Sequence, residues 1–466
     1  MNNKKEMKVT FYGGVGWVTG ANFVIENVPQ TPGEKVTRIM IDCGMYQGGE
    51  DAGPKNREDF AYTPADIDIM ILTHAHADHL GRIPKLVRDG FQGKIYSTKA
   101  SAELAEIMFA DSLKIINYEA KRDGIEPMYN EADVKHALKL WKQVPFHGRV
   151  ELPSGFSFTL HVAGHILGSA MIKMSYGNKK MLFTGDLGNS PDPLLPDTEI
   201  IDDVDYMLIE SVYGDRNHED RDERVAKLKS AIMETMSKKG ILMIPSFALE
   251  RTQNLLYILN NLVESGEIPK IPVFLDSPLG INITRVFKNN LDLMNDDVKL
   301  RLKTDPDVFD FPGFVETYSI DDSKAIMRQK NPKIIISSAG MSHAGRIVHH
   351  EKQYLGDKRN MLLFVGYQAV GTLGRIIQDG AKHIKLLGKE IDIKATVRTI
   401  SGYSAHKDSE HLVEFISHSA NKNLKKVFVA MGETKSSLFL VQRIRDYLGV
   451  NAVAPNQDDD VILDMS

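Results

Sequence analysis

The chain is poor in cysteine, and this scarcity bears on where the protein works. Cys43 is the one cysteine among 466 residues, so no disulfide can form within the chain. Proteins of oxidising compartments commonly carry several disulfides, whereas a single thiol is typical of a reducing cytoplasm. We therefore expect a cytoplasmic protein.

Long apolar runs are also missing. No segment reaches the length of about 20 apolar residues that a membrane-spanning helix needs. The first six residues lack the apolar centre of a signal peptide. The sequence therefore predicts no association with a membrane.

The chain also lacks an excess of positive charge. The net charge is −5, which counts mildly against a nucleic-acid-binding protein, because such proteins are often basic overall. The charge does not exclude one, since a local basic patch and bound metal ions can attract phosphates. With 42% apolar and 26% charged residues the composition is that of a soluble globular protein, and the length predicts two domains.

What the sequence does contain is a dense group of metal-binding side chains in residues 73–79, which read THAHADH. The preceding apolar run, residues 67–72, predicts a buried strand, and residues 80–87 predict a turn entering a helix. Imidazole and carboxylate are ligands that zinc accepts. The first two histidines, two positions apart, can face one ion while Asp78 and His79 face a second. A solvated histidine-rich loop is the alternative, and the density of the cluster favours metal ions.

Further ligands follow along the chain, each in a short motif. Asp42 closes an apolar strand, His165 lies in a Gly-His-x-x-Gly-Ser segment, and Asp186 lies in Thr-Gly-Asp-Leu-Gly. In this order the motifs resemble those of the metallo-β-lactamase superfamily. Asp42 is either a group that orients a metal-bound histidine through a hydrogen bond or simply a turn aspartate.

The resemblance implies two zinc ions that activate a water and clamp a phosphodiester. The ligands it implies are His74, His76 and His165 for the first ion, Asp78 and His79 for the second, and Asp186 as the bridge. It also places Asp78 among the catalytic residues.

Later segments are similar to the β-CASP branch of this superfamily, which includes the endonuclease subunit of the cleavage and polyadenylation machinery and bacterial and archaeal ribonucleases. Glu210 ends an apolar strand, and His406 lies in Ser-Gly-Tyr-Ser-Ala-His-Lys-Asp. The resemblance implies that His406 protonates the leaving oxygen and that Glu210 raises its pKa and holds it in place. A surface histidine that caps a helix is the alternative for His406.

One motif departs from the family. Ribonucleases of this branch carry a histidine before Gly-Glu near the end of the chain, whereas Met431 precedes Gly432 and Glu433 here. A thioether is a poor zinc ligand, so we expect a second zinc site that binds weakly, unless His343 supplies the missing ligand. The DNA-cleaving, Artemis-like branch also has an apolar residue at this position, so a DNA nuclease is the first alternative.

Beyond Tyr213 apolar strands alternate with helices, which predicts a parallel sheet with crossover helices. The predicted domains are 1–212 and 396–466 as two parts of a metallo-β-lactamase domain, and 213–395 as a β-CASP domain inserted between them. Motifs in the inserted part resemble substrate-binding segments of the family, and hydroxyls and helix N-termini suit phosphate oxygens. The residues predicted to bind substrate are Ser338, Arg346, Arg251 and Tyr367. The alternative is that these segments serve packing.

The fold class we predict is α/β: an αββα metallo-β-lactamase sandwich with an inserted α/β β-CASP domain. The predicted function is zinc-dependent hydrolysis of phosphodiester bonds in single-stranded RNA. Besides a DNA nuclease, a weakly active RNA-binding subunit is an alternative, although decay of the site would have removed several ligands. A hydrolase of small esters would leave the inserted domain without a purpose. A homodimer is one hypothesis for the assembly.

Overall fold

The computed structural model describes residues 4–48, 51–218, 223–369, 371–400, 402–419 and 423–466. The strands are, in chain order, β1 (Glu6–Gly13), β2 (Asn22–Asn27), β3 (Arg38–Ile41), β4 (Ile69–Ile71), β5 (Lys94–Ser97), β6 (Trp141–Gln143), β7 (Val150–Glu151), β8 (Phe156–Val162), β9 (Ala170–Tyr176), β10 (Lys179–Phe183), β11 (Tyr206–Ile209), β12 (Ile241–Pro245), β13 (Val273–Asp276), β14 (Phe314–Glu316), β15 (Lys333–Ser337), β16 (Met361–Phe364), β17 (His383–Leu386), β18 (Lys389–Asp392), β19 (Thr396–Thr399), β20 (Lys426–Val429), β21 (Ala452–Val453) and β22 (Asp460–Asp464).

The helices are α1 (Ala52–Arg57), α2 (Ala77–Leu80), α3 (Ile83–Arg88), α4 (Lys99–Asp123), α5 (Glu131–Lys139), α6 (Glu223–Ser237), α7 (Arg251–Glu264), α8 (Pro278–Asn289), α9 (Asp296–Arg301), α10 (Ile320–Ala325), α11 (Ile347–Tyr354), α12 (Leu373–Gln378), α13 (Ser409–Ser419) and α14 (Thr434–Leu448). No helix in the described part of the chain is long and apolar enough to cross a membrane.

The chain divides into two compact units. The first unit comprises residues 1–192, 196–217 and 406–466, and the second comprises 193–195 and 218–405. The first unit is therefore assembled from both ends of the sequence. The predicted domain boundaries, after residues 212 and 395, lie five and ten residues before the limits of these units at 217 and 405, and they stay predictions.

Two sheets form the first unit within the described residues. One has the order β22-β1-β2-β3-β4-β5-β6 and the other the order β21-β20-β11-β10-β9-β8-β7. Apolar side chains from both sheets share one buried core, for example Phe11 and Ile71 from the first sheet and Phe158 and Phe428 from the second. The regular spacing of these buried positions along each strand places every other side chain in that core.

Helices cover the outer faces of the sandwich. Leu412 of α13 and Leu440 of α14 belong to a second buried cluster together with Leu182 and Val427 of the second sheet. Helix α4 contacts strand β6 at the edge of the first sheet. The predicted αββα sandwich is confirmed.

The second unit is built on a parallel sheet with the order β14-β13-β15-β12-β16-β19. Strands β12 and β15 are buried along their whole length, as central strands covered on both faces must be. Helices α7, α8, α11 and α12 lie between successive strands of this sheet in the sequence. The predicted parallel sheet with crossover helices is confirmed.

The segment 391–397, which the sequence predicts as one strand, is divided. Its first residues end β18, which pairs with β17, and its last residues begin β19, which pairs with β16. Between them the backbone N–H groups of Lys394 and Ala395 both donate to the carbonyl of Leu355, so the chain turns away from one strand and joins another.

Candidate metal centre

The predicted ligands lie where neighbouring strands of the first unit end. Strands β3 and β4 are parallel, so Asp42 and the segment 73–79 follow the same edge of the first sheet. Strands β10, β11 and β20 are also parallel neighbours, so Asp186, Glu210 and Met431 follow one edge of the second sheet. Sequence-distant side chains meet because carboxyl ends of parallel strands share an edge.

Two glycines allow the loops of the site to approach closely. A Cβ atom at Gly44 would lie 1.5 Å from the carbonyl oxygen of Asp78. A Cβ atom at Gly188 would lie 1.9 Å from the carbonyl oxygen of Gly164, next to His165. Any larger residue would therefore push apart the loops that carry Asp78, His165 and Asp186.

The first set of ligands consists of three imidazoles and a carboxylate. The Nδ1 atom of His76 lies 3.1 Å from Nε2 of His74 and 3.1 Å from Nε2 of His165. The Oδ2 atom of Asp186 lies 3.5 Å from the same nitrogens of His74 and His165. A tetrahedron with metal–ligand bonds of about 2.0–2.1 Å has edges of about 3.3–3.4 Å. The four atoms thus have the spacing of ligands around one zinc-sized ion.

The second set shares Asp186 through its other oxygen. The Nε2 atom of His79 lies 3.4 Å from Oδ1 of Asp186, and an oxygen of Asp78 lies within 4.8 Å of both. Since Oδ2 faces the first set and Oδ1 faces the second, the Asp186 carboxylate is placed to bridge two ions.

Asp42 is hydrogen-bonded to His79 and to Thr73, the residue that precedes the histidine cluster. Its Oδ2 atom lies 2.8 Å from Nδ1 of His79, and its carboxylate accepts hydrogen bonds from the backbone N–H and the hydroxyl of Thr73, each at 2.8 Å. The proton on Nδ1 leaves Nε2 of His79 as the ligand atom that faces Asp186. This geometry fits the predicted role of Asp42, the orientation of a ligand histidine, and that role stays a prediction.

Burial and neighbouring charges shift the pKa values of these groups. Burial lowers the pKa of His74, His76 and His165, which keeps these imidazoles neutral, the form that binds metal ions. Burial alone would raise the pKa of Asp186, but nearby His79 and His406 outweigh it and lower the pKa well below its usual range. Burial alone would lower the pKa of His79 as well, but the carboxylates of Asp186 and Asp42 outweigh it and raise that pKa well above its usual range. The first set therefore offers three neutral nitrogens beside an ionised carboxylate, whereas His79 must release a proton to bind an ion.

His406 and Glu210 form a pair beside this centre. The Nδ1 atom of His406 lies 3.2 Å from Oε2 of Glu210 and 3.9 Å from Oδ2 of Asp186. The backbone N–H of Leu187 donates to Oε1 of Glu210 at 2.6 Å, which fixes the carboxylate. Burial alone would lower the pKa of His406, but the carboxylates of Glu210 and Asp186 outweigh it and raise the pKa to about 9.

Met431 is part of the core of the sandwich. It is 1% exposed and belongs to the same buried cluster as Val15 and Phe23. Its φ angle is 51°, and its backbone N–H donates to the carbonyl of Gly14. The methionine therefore packs among apolar side chains of the first unit.

Two residues predicted to bind substrate have partners within the second unit. The guanidinium of Arg346 donates to Oδ1 of Asp276 at 2.7 Å and to the carbonyls of Thr317 and Tyr318. Arg251 is 9% exposed and donates to the carbonyl of Val365 at 2.8 Å.

The other two predicted residues differ in exposure. Ser338 is half-buried, and its hydroxyl lies 2.8 Å from that of Ser277. Tyr367 is 53% exposed. His343 is exposed and belongs to the second unit.

The sequence interpretation missed three residues that shape the two units. Thr73 links Asp42 to the histidine cluster, and Ser169 accepts hydrogen bonds from the backbone N–H groups of His165 and Ile166. Asp276 anchors Arg346. Thr73 and Ser169 lie inside the motifs of the predicted ligands, and this position in the sequence could have identified them. For Asp276, which ends an ordinary apolar strand, the sequence offers none.

Three family models match consecutive parts of the chain. Residues 35–229 match the metallo-β-lactamase superfamily, residues 252–377 match the β-CASP domain, and residues 390–455 match a domain described as the zinc-dependent metallo-hydrolase RNA specificity domain. The metallo-β-lactamase match contains the predicted ligands around Asp186 together with Glu210, and the RNA specificity match contains His406.

Curated proteins resemble the chain over most of its length. Ribonuclease TTHA0252 of Thermus thermophilus is 34% identical over 379 residues, which cover 81% of this chain and 85% of that protein. The RNase J-like protein of Methanocaldococcus jannaschii is 32% identical over 421 residues, 90% of this chain and 92% of that protein. The transcription termination factor FttA of Methanosarcina mazei is 28% identical over 464 residues, 96% of this chain and 70% of that protein.

Proposed function

Because the chain belongs to the β-CASP branch of the metallo-β-lactamase superfamily, we propose that it is a zinc-dependent ribonuclease that hydrolyses single-stranded RNA. Membership confirms the predicted family and the predicted class of enzyme, a metal-dependent hydrolase that acts on RNA. Zinc as the metal and single-stranded RNA as the preferred substrate are parts of the proposal. The cytoplasmic location and the homodimer stay predictions.

The observation that supports this function most strongly is the arrangement around Asp186. In the proposal His74, His76, His165 and Asp186 would hold one ion, and Asp78, His79 and Asp186 would hold the other. Two zinc ions held there would lower the pKa of a water and neutralise charge on a phosphodiester.

The chain's own acid is His406. Burial alone would lower its pKa, but Glu210 and Asp186 raise it to about 9, which favours the protonated form that a general acid needs. The proton on Nδ1 is held by Glu210, so the proton on Nε2 is the one that we propose passes to the leaving oxygen of the substrate. Glu210 acts by holding the ring in this orientation and state.

The second unit would bind the nucleic acid. The exposed ring of Tyr367 suits stacking on a base, a contact that tolerates any sequence. Ser338 and Arg251 are proposed to contact the RNA backbone through hydroxyl and guanidinium groups. Arg346 belongs to the same proposal, although Asp276 and two carbonyls already accept its hydrogen bonds.

Met431 favours a second candidate function, cleavage of DNA. It places an apolar side chain at the position where the resemblance to ribonucleases implies a histidine. A weakly active RNA-binding subunit is less well supported, because every other predicted ligand lies in the ligand-spaced groups around Asp186.

The test compares labelled single-stranded RNA and DNA of the same sequence with zinc-loaded protein, chelator-treated protein and the His165→Ala variant. We expect cleavage of RNA by the zinc-loaded protein, loss of cleavage on chelation, and its return when zinc is added. Preferential cleavage of DNA would replace the proposal with the DNA-nuclease alternative. Tight binding of RNA without cleavage in any metal would support the binding subunit.

A further inference from the structure

A second group of histidine and carboxylate side chains lies in the first unit and shares no residue with the groups around Asp186. It consists of His147, His161 and Glu199. We propose that these three residues form an additional binding site for a divalent transition-metal ion of the zinc class. No part of the proposed ribonuclease mechanism uses them.

All three residues lie in strand β8 or are hydrogen-bonded to it through their backbone N–H groups. His161 belongs to β8, the backbone N–H of His147 donates to the carbonyl of Leu160 at 2.8 Å, and that of Glu199 donates to the carbonyl of Val162 at 3.0 Å. Consecutive residues of β8 thus set the positions of two distant loops. The backbone therefore brings the three residues together, and the side-chain conformations set the distances between the ligand atoms.

Glu199 divides its two oxygens between the two imidazoles. Its Oε1 atom lies 2.7 Å from Nε2 of His147, and its Oε2 atom lies 3.1 Å from Nδ1 of His161. One ligand atom from each of the three side chains lies within 4.8 Å of the others. Two imidazoles and one carboxylate are a ligand set that zinc and its neighbours in the first transition row accept, with water completing the shell.

The site is open on the side of His147. The side chains of His147, Glu199 and His161 are 58%, 30% and 17% exposed. The 2.7 Å distance from Glu199 to His147 is shorter than the spacing of two ligands around one ion, so entry of an ion requires a small outward rotation of this histidine. Its exposure leaves room for that rotation.

His161 is held ready by a second contact. The hydroxyl of Thr159 lies 2.9 Å from Nε2 of His161, which leaves Nδ1 directed at Glu199. A hydrogen bond to the distal nitrogen is the usual way in which a metal-bound histidine is oriented. Burial lowers the pKa of His161 against the opposing effect of Glu199, so the ring is neutral near pH 7.

An ion at this site would stabilise the segment 196–199, which packs against the loop that carries His165. A Cβ atom at Gly164 would meet the carbonyl oxygen of Pro196 at 2.8 Å, and the hydroxyl of Thr198 donates to the carbonyl of Ala163 at 2.9 Å. The segment that carries Glu199 therefore supports the loop of a catalytic-site ligand. The additional ion would have a structural role.

The experiment is a cobalt and zinc titration of the full chain, in which bound metal is measured by mass spectrometry after equilibrium dialysis and cobalt ligation by visible absorption. His147→Ala and Glu199→Gln test the site. His383→Ala is the matched control, because His383 is also an exposed histidine paired with a carboxylate, Asp392, at 2.8 Å. It lies in the second unit, and the groups of potential ligands found among the described residues do not include it.

At saturating zinc we expect the unmodified protein and His383→Ala to bind one ion per chain more than His147→Ala and Glu199→Gln. Part of the cobalt absorption should disappear in the same two variants. Equal metal content in all four proteins would overturn the proposal and leave Glu199 as an acceptor of two histidine hydrogen bonds. Because His147 is exposed, its replacement tests the site even if Glu199→Gln fails to fold.

Discussion

Asp186 and Asp276 are both buried carboxylates with histidine neighbours, one in each unit, and their surroundings differ in one respect. Asp276 is fully buried and has hydrogen-bond partners at 2.6–2.8 Å: His350, Ser323, Arg346 and Thr317. The imidazole nitrogens of His74, His79 and His165 lie 3.4–3.5 Å from Asp186, beyond strong hydrogen bonds. The carboxylate of Asp276 is satisfied by the protein, whereas that of Asp186 has the spacing of a ligand that shares an ion with its neighbours.

The difference teaches that distance and donor type, and not the presence of histidine neighbours, distinguish these two buried carboxylates. Arginine and hydroxyl groups donate protons and satisfy a carboxylate, which stabilises the fold. The neutral imidazoles of His74 and His165 can present lone pairs toward the carboxylate of Asp186, and such an arrangement is stable when a cation lies among them.

The largest effect is expected from His165→Ala. An ion held by three nitrogens and one carboxylate oxygen cannot lose a nitrogen without losing most of its affinity. We expect RNA hydrolysis to become undetectable and the zinc content to fall. The measurement is zinc analysis together with cleavage of labelled RNA. Full activity in this variant would mean that the ion is not bound where the Asp186 geometry indicates.

His406→Ala should reduce cleavage by roughly 10²–10⁴ while zinc content stays unchanged, because this is the usual contribution of a positioned general acid. A substrate with a very good leaving group needs no proton and should be affected much less. The measurement is the loss of cleavage rate on the ordinary substrate divided by the loss on the substrate with the good leaving group. This ratio isolates the proton transfer. Equal losses on both substrates would remove His406 from the role of acid.

Asp42→Asn should weaken the second ion by roughly 10–100-fold, since Asp42 orients His79. Zinc affinity measured by competition with a chelator should show one weakened ion and one unaffected ion. The amide oxygen of asparagine can still accept the hydrogen bond from the backbone N–H of Thr73, so circular dichroism should be unchanged. If both ions were weakened equally, Asp42 would be acting on the whole centre rather than on His79.

Arg346→Ala tests the satisfied carboxylate. Burial alone would raise the pKa of Asp276, but hydrogen bonds from His350, Ser323 and Arg346 lower it to about 2. Asp276 therefore stabilises the fold above the unfolded pKa of about 3.9, and this stabilisation is lost as the pH falls toward 2. The variant should lower the free energy of unfolding at pH 7 by about 1–3 kcal/mol, reduce this acid-dependent part, and leave zinc content unchanged.

Urea unfolding at several pH values measures this effect of Arg346→Ala. The predicted contact of Arg346 with phosphate has a separate signature, a flatter dependence of RNA affinity on salt. A variant of unchanged stability with a flatter salt dependence would make Arg346 an RNA-binding residue and not a structural one.

The smallest effect is expected from Met431→His. From the protein the second ion has Asp78, His79 and Asp186, so we expect zinc content at the Asp186 centre to lie between one and two ions after dialysis. The histidine should tighten the second ion and raise RNA cleavage at low zinc. Because Met431 is buried in the core, thermal unfolding must show that the variant folds. Two tightly held ions that do not respond to the change would contradict the weak-site prediction and point to another ligand, with His343 the first to test.

Much of this arrangement could be predicted from sequence because the ligands follow strands. The apolar run that ends at Leu72 and the alternation of strands and helices after Tyr213 indicate strand ends, and parallel strands bring those ends to one edge. Local patterns indicate that His74 and Asp186 follow strand ends, whereas it is the resemblance to the metallo-β-lactamase superfamily that implies that they and His165 lie near one another.

The remainder depends on contacts between residues far apart in sequence. Arg346 lies 70 positions from Asp276, and nothing near either residue indicates the pair. The division of segment 391–397 depends on the carbonyl of Leu355, which is likewise remote. The packing of Met431 in the core also depends on a distant residue, Phe23. Secondary-structure propensity and residue spacing do not predict such long-range contacts.

Anomalous scattering from a zinc-loaded crystal, collected on both sides of the zinc absorption edge, tests the central claim most directly. The account predicts one strong peak among Nε2 of His74, Nδ1 of His76, Nε2 of His165 and Oδ2 of Asp186. A second, weaker peak should lie beside Nε2 of His79 and Oδ1 of Asp186, and none should lie at Asp276. Absence of a peak at Asp186 in a crystal of protein that cleaves RNA would contradict the account.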